Sequence, residues 1–330
     1  MTVRVTMADV ARAAGVSSAT VSYVLSGKRA VAEETRRVVE AAIDDLGFTV
    51  NTVARSLRTG RSSVVALVVP DLSNPFYAQL AASLQEELRT LGLHVMVCDT
   101  KADRDEERAF LREAVQQRFA GVVITPFRLV ARDFLTLSEA GIPVVVSADL
   151  PFGEADLVTP DARAAMRAAL AEVTGAGRRR IAMIAGPRDA TGGDPRLELL
   201  RSLAARFGTT LPGRLVVRGE HTREAGAMGF RHLMRMKYRP DAVFCANDAV
   251  AIGAMDAAEE LGIGIPGDVA LIGHDDASFA SLVRPRLSTV RYPAVDVGKA
   301  AARLLIERLD GRVTRKTVHV KAEFVSRETI

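Results

Sequence analysis

The sequence contains few of the residues that cross-link a chain or bind metal: among 330 residues there are two cysteines, five histidines and no tryptophan. Cys98 and Cys245 each lie in an apolar, strand-like run, which predicts buried, reduced thiols and not a disulfide framework. The histidines are scattered, so no metal site is expected. The longest apolar runs, such as Val64–Val69, are far shorter than the ~20 residues that a membrane span requires. We therefore expect no disulfide bond, no bound metal ion and no membrane span.

Residues 1–12 do not fit the pattern of a secretory signal, because they show no charged region followed by an apolar stretch and a cleavage site. This predicts a cytoplasmic protein. The net charge of +4 is small, so composition alone is only a weak indication of a nucleic-acid partner. The positive charge is local, however: within residues 1–31, four basic residues stand against one acidic residue.

Three short helices are predicted within the first 50 residues. Thr6 is a suitable N-cap with Asp9 three residues later, and Gly15 ends this first helix. After a tight turn, Ser17 can cap a second helix. A third helix extends from about residue 33 to residue 46 and ends before Gly47. Its predicted core face consists of Val38, Val39, Ala42, Ile43 and Leu46.

The second helix has small polar and hydroxyl side chains at its start, and such a helix can enter a major groove without collision. In this interpretation Ser18, Ala19, Thr20, Ser22 and Tyr23 face DNA. The alternative is a small helical subdomain whose polar face is merely solvated.

From residue 64 onward, short apolar runs alternate with helical stretches, which is typical of parallel sheets covered by helices. The predicted strands are 64–69, 95–98, 122–124, 144–147, 181–185, 215–218, 243–246 and 269–272. The predicted helices are 76–91, 106–118, 162–173, 194–207, 222–236, 248–261 and 294–309. Eight strands divide naturally into two doubly wound α/β lobes with a cleft between them.

Stretches throughout the chain resemble the LacI/GalR family of bacterial transcription regulators, namely TMADVARAAGVSSATVSYVLSGKRAV, EETRRVVEAAIDDLGF, NTVARSLRTG, SNPFYAQL, AGIPVVV, FCANDAVAIGAMDAAEELGIGIPGDVALIGHDDA and PRLSTVRYP. The resemblance implies an all-α helix-turn-helix headpiece (1–50), a hinge helix and linker (51–63), and a two-lobed α/β core of the periplasmic-binding-protein type I fold (64–330) with three crossovers. It also implies a repressor that binds a pseudopalindromic operator as a homodimer or higher oligomer, with no cofactor.

The resemblance further implies a DNA-contacting set. Ser18, Ala19 and Tyr23 match base-reading positions. Many relatives carry arginine at the position of Tyr23, so the operator half-site is expected to differ from theirs. The remaining headpiece contacts are Thr6, Ser17, Thr20 and Ser22, the last three to phosphates.

Within the hinge segment, Leu57 matches the residue that the family inserts into the minor groove as an apolar wedge. Asn51, Ala54 and Arg55 match its surroundings. The alternative is a linker leucine packed on the core.

The family places sugar or nucleotide effectors between the lobes, at the carboxyl ends of the strands. The matching residues, which we expect to bind a sugar-like effector, are Phe76, Thr125, Asp149, Arg196, His221, Asn247 and Asp275. Induction is the favoured response to this effector, and corepression is the alternative. Carboxylate, amide and guanidinium groups suit vicinal hydroxyls. Each residue also has a simpler interpretation: Asp275 as a turn residue, Asn247 as a helix cap, Arg196 as a surface charge.

Three departures from the family's pattern lie among these positions. Asp161 is followed by Ala162 where asparagine is common, Arg196 is followed by Leu199 where glycine is common, and His221 replaces an aromatic ring. A non-sugar ligand, or a weak response to any ligand, therefore stays an alternative.

Two rival classes share α/β lobes. An enzyme is disfavoured because no nucleophile elbow, Walker loop or HExxH motif occurs, and adjacent Asp275 and Asp276 should point in different directions. No catalytic residue is predicted. A transport-type sugar-binding protein is disfavoured by the headpiece.

Overall fold

The computed structural model describes residues 5–26, 29–48, 61–148, 152–188, 190 and 193–330. The chain divides into two compact units, Met1–Gly60 and Arg61–Ile330. Within the described ranges, no helix has both the length and the apolar character needed to cross a bilayer.

The N-terminal unit contains the three predicted helices, α1 (Met7–Ala13), α2 (Ser18–Ser26) and α3 (Glu33–Asp45). The Thr6 hydroxyl accepts from the Asp9 backbone N–H at 3.3 Å, and the Asp9 carboxylate accepts from the Thr6 N–H at 2.9 Å. This reciprocal cap begins α1, and its hydrogen bonds lower the pKa of Asp9. Gly15 and Gly47 follow α1 and α3 with φ of +65° and +59°, as predicted for helix ends.

The core of this unit is built around Val10, Val21 and Val39, which are fully buried. The predicted core face of α3 is wrong at two positions: Val38 is 45% exposed and Leu46 is 37% exposed. Three short helices bury only a narrow stripe of α3, and Val38 lies about 100° round the helix from Val39. Leu46 caps the helix end, beyond the last residue that packs inward.

The larger unit contains two six-stranded sheets, in the orders β11-β5-β4-β3-β1-β2 and β12-β10-β9-β8-β6-β7. All pairings are parallel except that of β12 with β10. The strands are β1 (Val64–Val69), β2 (His94–Asp99), β3 (Gly121–Ile124), β4 (Val144–Ser147), β5 (Asp156–Asp161), β6 (Ile181–Ala185), β7 (Val216–Arg218), β8 (Ala242–Cys245), β9 (Ala270–Asp275), β10 (Ser288–Arg291), β11 (Thr317–Lys321) and β12 (Glu323–Val325). We name the lobe built on the first sheet the first lobe and the other the second lobe.

The helices that cover these sheets are α4 (Pro75–Arg89), α5 (Arg104–Gln116), α6 (Leu135–Glu139), α7 (Arg163–Gly175), α8 (Pro195–Ala204), α9 (Arg223–Met234), α10 (Asp248–Glu260) and α11 (Ala294–Leu309). Although α11 follows a strand of the second lobe, it packs on α4 of the first lobe. The Ser83 hydroxyl donates to the Val295 carbonyl at 2.7 Å in this contact.

Three crossovers therefore connect the lobes, as the family resemblance implies: β5 to α7, β10 to α11, and β11 to β12. The eight predicted strands are present: three have the predicted ends, and the ends of the other five are displaced by one to three residues. The predicted helix 194–207 ends at Ala204 and continues as a 3₁₀ turn, and the predicted strand 215–218 begins at Val216 because a 3₁₀ turn precedes it. The sequence interpretation missed β5, β10, β11 and β12, together with the short helix α6.

The two cysteines lie in these cores as buried free thiols, as predicted. Burial raises the pKa of both thiols, that of Cys98 to about 11. Among the described residues, no group of three histidine, cysteine, aspartate or glutamate side chains could hold a metal ion.

Candidate functional site

The exposed face of α2 carries the predicted DNA-contacting side chains of the headpiece. Ser17, Ser18, Ala19 and Tyr23 are exposed, and Thr20 is half-buried. Ser22, also in the predicted set, is half-buried as well.

The N-terminus of α2 is held by a side-chain cap. The Ser17 hydroxyl accepts from the Thr20 backbone N–H at 3.1 Å and shares a second hydrogen bond with the Thr20 hydroxyl at 2.9 Å. The guanidinium of Arg29 lies 5.6 Å from the centre of the Tyr23 ring. A positive charge therefore adjoins the face that the sequence predicts to read bases.

Thr6, the remaining predicted headpiece contact, uses its hydroxyl in the α1 cap, where it donates to the Asp9 carboxylate at 2.6 Å. The predicted hinge residues Asn51, Ala54, Arg55 and Leu57 lie outside the described residues, as does Asp149 of the predicted effector set. Their roles stay predictions.

A cavity of about 1330 Å³ lies between the two lobes of the larger unit. Six of the seven predicted effector residues line it, namely Phe76, Thr125, Arg196, His221, Asn247 and Asp275. They come together because each lies at or after the carboxyl end of a parallel strand, and those ends share one edge of each sheet. The departures Ala162 and Leu199 line the same cavity.

Arg196 and Asp275 form an ion pair in the cavity wall. Arg196 Nη2 lies 3.3 Å from Asp275 Oδ1, and Nη1 donates to the Ala246 carbonyl at 2.5 Å. The guanidinium lies 5.0 Å from the centre of the Tyr292 ring. Burial disfavours the charged guanidinium, but Asp275, Tyr292 and Asp194 together outweigh it, and the pKa of Arg196 is raised. The surface-charge interpretation of Arg196 is therefore wrong.

Asp275 also connects the two lobes. Its Oδ2 accepts from Asn74 Nδ2 of the first lobe at 2.9 Å. The neighbouring Asp276 turns away and accepts from Arg291 at 2.7 Å and from Arg327 at 2.6 Å. Both aspartates have positive φ, +99° and +56°. As expected, the two carboxylates point in different directions and do not form a pair around one substrate atom.

Asn247 caps the start of α10, which is the simpler of the two roles considered for it in the sequence analysis. Its Oδ1 accepts from the Val250 N–H at 2.9 Å, which begins α10. Its Nδ2 donates to the His221 carbonyl at 3.2 Å. Asn247 therefore fixes the loop that presents His221 to the cavity.

The His221 ring packs edge-to-face on Phe127 of the first lobe, with ring centroids 5.6 Å apart. Burial, followed by the positive charge of Arg196, lowers the pKa of His221 to about 4. The ring is neutral near pH 7. His221 therefore presents an uncharged, edge-on ring to Phe127.

The loop after β3 forms the opposite wall. The Thr125 backbone N–H donates to the Val68 carbonyl at 3.0 Å, while its buried hydroxyl oxygen has no hydrogen-bond partner among the described residues. The buried Glu107 carboxylate accepts from the backbone N–H groups of Phe127 at 2.6 Å and Arg128 at 2.9 Å. Burial raises the pKa of Glu107 in spite of these bonds.

Sequence reasoning missed several residues of the cavity wall, among them Asn74, His274 and Tyr292. Asn74 follows the pattern of a helix cap, and its Oδ1 does accept from the Phe76 N–H at 3.0 Å. A polar residue before Pro75 indicates a helix cap, and that pattern gives no sign of the second bond to Asp275. His274 was counted only as a scattered histidine, although its place beside Asp275 in an apolar strand is a usable signal.

The fold and the cavity define a class: a two-lobed, periplasmic-binding-protein-like core preceded in the chain by a helix-turn-helix unit. Comparison with known proteins agrees with this class. Residues 6–51 match the family model described as bacterial regulatory proteins, lacI family, and residues 170–330 match the periplasmic binding protein-like domain.

The chain is 32% identical to the ribose operon repressor of Escherichia coli (strain K12), over 92% of this chain and 93% of that protein. It is 30% identical to the HTH-type transcriptional repressor PurR of Proteus mirabilis (strain HI4320), over 98% of this chain and 96% of that protein. The chain belongs to the LacI family of bacterial regulatory proteins. It is a DNA-binding transcription regulator, and its relatives named here are not enzymes.

Two solved structures are also similar. The transcriptional regulator CelR in complex with cellobiose is 30% identical with a TM-score of 0.73, covering 99% of this chain and all of that one. The Lac repressor dimer bound to operator and the anti-inducer ONPF is 25% identical with a TM-score of 0.85, covering 99% of each chain.

Proposed function

We propose that this protein represses transcription by binding a pseudopalindromic operator as a homodimer, and that a small, neutral carbohydrate in the cleft between the lobes releases it. Residues 1–50 bind DNA, residues 51–63 form the hinge, and residues 64–330 bind the effector and dimerise. Because its proposed target is operator DNA, we infer that the protein acts in the cytoplasm. One observation carries the proposal: the same chain has an exposed face on α2 and a cavity of about 1330 Å³ whose wall includes polar and charged side chains.

The DNA-binding part of the proposal is supported by the shape and chemistry of α2. Its exposed hydroxyls suit phosphate oxygens, and the Tyr23 side chain is large enough to reach a base edge. Arg29 beside Tyr23 supplies a positive charge at the same surface.

Carbohydrate as the effector is supported by the paired charges of the cleft. The Arg196 guanidinium is neutralised by Asp275, and His221 is uncharged near pH 7. These groups offer directional donors and acceptors, which suit hydroxyl groups, and the described cavity lining carries more acidic than basic side chains, which disfavours a phosphate or carboxylate. The name of one relative contains ribose, and one similar structure contains cellobiose.

DNA binding is tested by gel retardation of the protein's own promoter region. The full chain should retard this DNA, with an affinity that falls steeply with salt at a log–log slope of about −0.9 per phosphate contact. The fragment 61–330 should keep its fold and lose binding, because it lacks the headpiece. Tyr23→Ala should weaken binding, whereas Tyr238→Ala, at a tyrosine that is 74% exposed in the larger unit, serves as the matched control. Retardation by the fragment would show that the headpiece assignment is wrong.

Effector binding is tested by calorimetry against sugars, polyols, nucleobases and sugar phosphates. We expect a neutral sugar to bind and Asp275→Asn to lose most of that affinity, since the substitution removes the charge that Arg196 and Asn74 contact. Asp310→Asn, at an exposed helix end, is the control. Equal binding by wild type and Asp275→Asn contradicts the cleft assignment.

A further inference from the structure

Asp248, the first residue of α10, is a buried carboxyl group outside the predicted effector set. Only 1% of the residue is exposed, and it does not line the cavity of about 1330 Å³. Burial raises its pKa well above the usual value, and the nearby Asp275 carboxylate acts in the same direction. Burying a carboxyl group is costly unless hydrogen bonds compensate for the lost water. The contacts of Asp248 therefore need an explanation.

Both carboxylate oxygens of Asp248 accept hydrogen bonds from outside α10. Oδ2 accepts from the Ala277 backbone N–H at 2.7 Å, and Oδ1 accepts from the Thr289 hydroxyl in β10 at 2.7 Å. Helix α10 does not need these contacts in order to begin, because Asn247 caps it. The carboxylate therefore joins the start of α10 to the segment after β9 and to β10.

The end of β9 is a strained turn. Asp275 and Asp276 have φ of +99° and +56°, a region that residues other than glycine rarely adopt. Such a conformation persists only where the surrounding structure holds it. Arg291 holds the Asp276 side chain at 2.7 Å, and Ala277, the next residue along the chain, donates its backbone N–H to Asp248. The contact with Asp248 therefore holds the backbone of the turn.

Gly273 gives independent evidence that the carboxylate belongs against β9. A Cβ atom at this position would lie 2.1 Å from Asp248 Oδ1, which is too close for two non-bonded atoms. Glycine in the interior of a strand often marks a place where another group approaches the backbone closely. The strand therefore leaves at Gly273 the space that the Asp248 carboxylate occupies.

We infer that Asp248 is a positioning residue for Asp275. By accepting from the Ala277 N–H, it keeps the turn in the conformation from which the Asp275 carboxylate reaches Asn74 of the first lobe at 2.9 Å. This role does not depend on which ligand the cleft binds. Its consequence for operator binding rests on the proposed function, in which the lobes control the hinges.

The position of Asp275 is measured through its partner Asn74. The chain has three asparagines, at positions 51, 74 and 247, so full-length protein labelled with ¹⁵N in asparagine side chains gives three side-chain amide signals. Asn74→Ser keeps an acceptor for the cap of α4 and identifies the Asn74 signal by its loss. We expect Asp248→Ala to shift this signal toward that of a solvent-exposed amide, because the turn no longer presents Asp275 to Asn74.

Two further variants separate positioning from a general loss of structure. Asp248→Asn keeps an acceptor oxygen for the Ala277 N–H and should return the Asn74 signal most of the way to its wild-type position, while adding a fourth signal. Asp256→Ala, on the same helix at a partly exposed ion pair with Arg223, is the matched control and should leave the signal unchanged. If Asp248→Ala does not fold, Thr289→Val, which removes the other contact of the carboxylate, should give a smaller shift in the same direction.

Gel retardation of the protein's own promoter region, without added sugar, measures the consequence for the operator. We expect Asp248→Ala and Asn74→Ser each to weaken binding about threefold or more, and the double variant to lose no more than the weaker-binding single variant, since both substitutions act on one contact. Asp256→Ala should bind like wild type.

An unchanged Asn74 signal in the folded Asp248→Ala variant, or an equal shift in Asp256→Ala, would overturn the positioning role. Additive losses in the double variant would also overturn it, because Asp248 would then act by a route other than Asn74. A shifted Asn74 signal with unchanged operator affinity would support the positioning role and contradict the proposed control of operator binding by the lobes.

Discussion

At the scale of single residues, the Asp275 carboxylate makes two contacts that a ligand can replace. It accepts from Arg196 at 3.3 Å and from Asn74 at 2.9 Å, so its charge is compensated from both lobes. Removing one partner of a buried charge pair is costly, because the other charge stays desolvated. A sugar hydroxyl that donates to Asp275 can displace Asn74 without leaving the carboxylate unpaired. We therefore propose that the contact between the lobes and the contact to the ligand compete for one oxygen.

His221 provides a residue-scale prediction about pH. Its pKa is about 4 in the folded protein, against about 6.5 in an unfolded chain. Between these values the unfolded chain binds more protons, so stability is present above pH 6.5 and is lost as the pH falls toward 4. We expect His221→Phe to lose less melting temperature than wild type between pH 7 and pH 5. Thermal unfolding at several pH values measures this, with His232→Phe as the control; parallel curves for wild type and His221→Phe would contradict the neutral, buried state of His221.

Many of the residues that line the cleft could be predicted from the sequence. The contacts that some of them make could not, for a physical reason. Strand ends and helix starts can be located by pattern, which placed Arg196, His221 and Asp275 on one cavity. Asn74 could not be assigned its contact with Asp275, because that hydrogen bond joins residues 201 positions apart. Asn74 already fits the pattern of a helix cap, so its second hydrogen bond, to Asp275, leaves no signal in the local sequence.

At the scale of elements, the cap of α1 determines whether the first helix of the headpiece begins at Met7. Replacing Thr6 with alanine removes one side-chain acceptor and should cost about 1 kcal/mol of local stability. Hydrogen exchange of the headpiece amides measures this as faster exchange in α1. Thr6→Ser keeps the hydroxyl and should exchange like wild type. Unchanged protection in Thr6→Ala would show that the capping box contributes little.

The hinge segment, which includes Leu57, provides a second element-scale prediction. If Leu57 inserts into the minor groove, Leu57→Ala should weaken operator binding by about 1 to 3 kcal/mol and leave sugar binding unchanged. Leu57→Met keeps a long apolar side chain and should bind nearly as wild type. Operator titrations combined with a DNA-bending assay measure both effects. Unaltered affinity and bending in Leu57→Ala would favour the linker interpretation.

The strands that sequence reasoning missed share a weak pattern. β5 contains Pro160, and its last two residues are not buried. β11 is largely exposed, and β12 has only three residues. Buried strands such as β1 and β6 read as continuous apolar runs, whereas these four lie at or near the sheet edge where the chain passes between lobes. Their place is determined by topology, which apolar periodicity does not encode.

At the scale of the whole molecule, the two aspartates at the end of β9 adjoin both the cleft and the crossovers. Asp275 faces the ligand cavity, while Asp276 binds Arg291 at the second crossover and Arg327 just beyond the third. Arg291 also pairs with Glu323 at 3.4 Å, which joins two crossovers directly. A ligand that repositions Asp275 therefore acts one residue away from the connections that set the angle between the lobes. We propose that this angle controls the paired hinges of the dimer.

The coupling between cleft and headpiece is tested most directly by two titrations of the full chain. One measures operator affinity with and without the sugar found by calorimetry, and the other measures sugar affinity with and without operator. Because binding free energies are reciprocal, a sugar that weakens operator binding tenfold must itself bind tenfold more weakly to the operator complex, about 1.4 kcal/mol in each direction. We predict equal weakening in both titrations and its loss in Asp275→Asn. A sugar that binds in the cleft yet leaves operator affinity unchanged, or strengthens it, would contradict induction through this site.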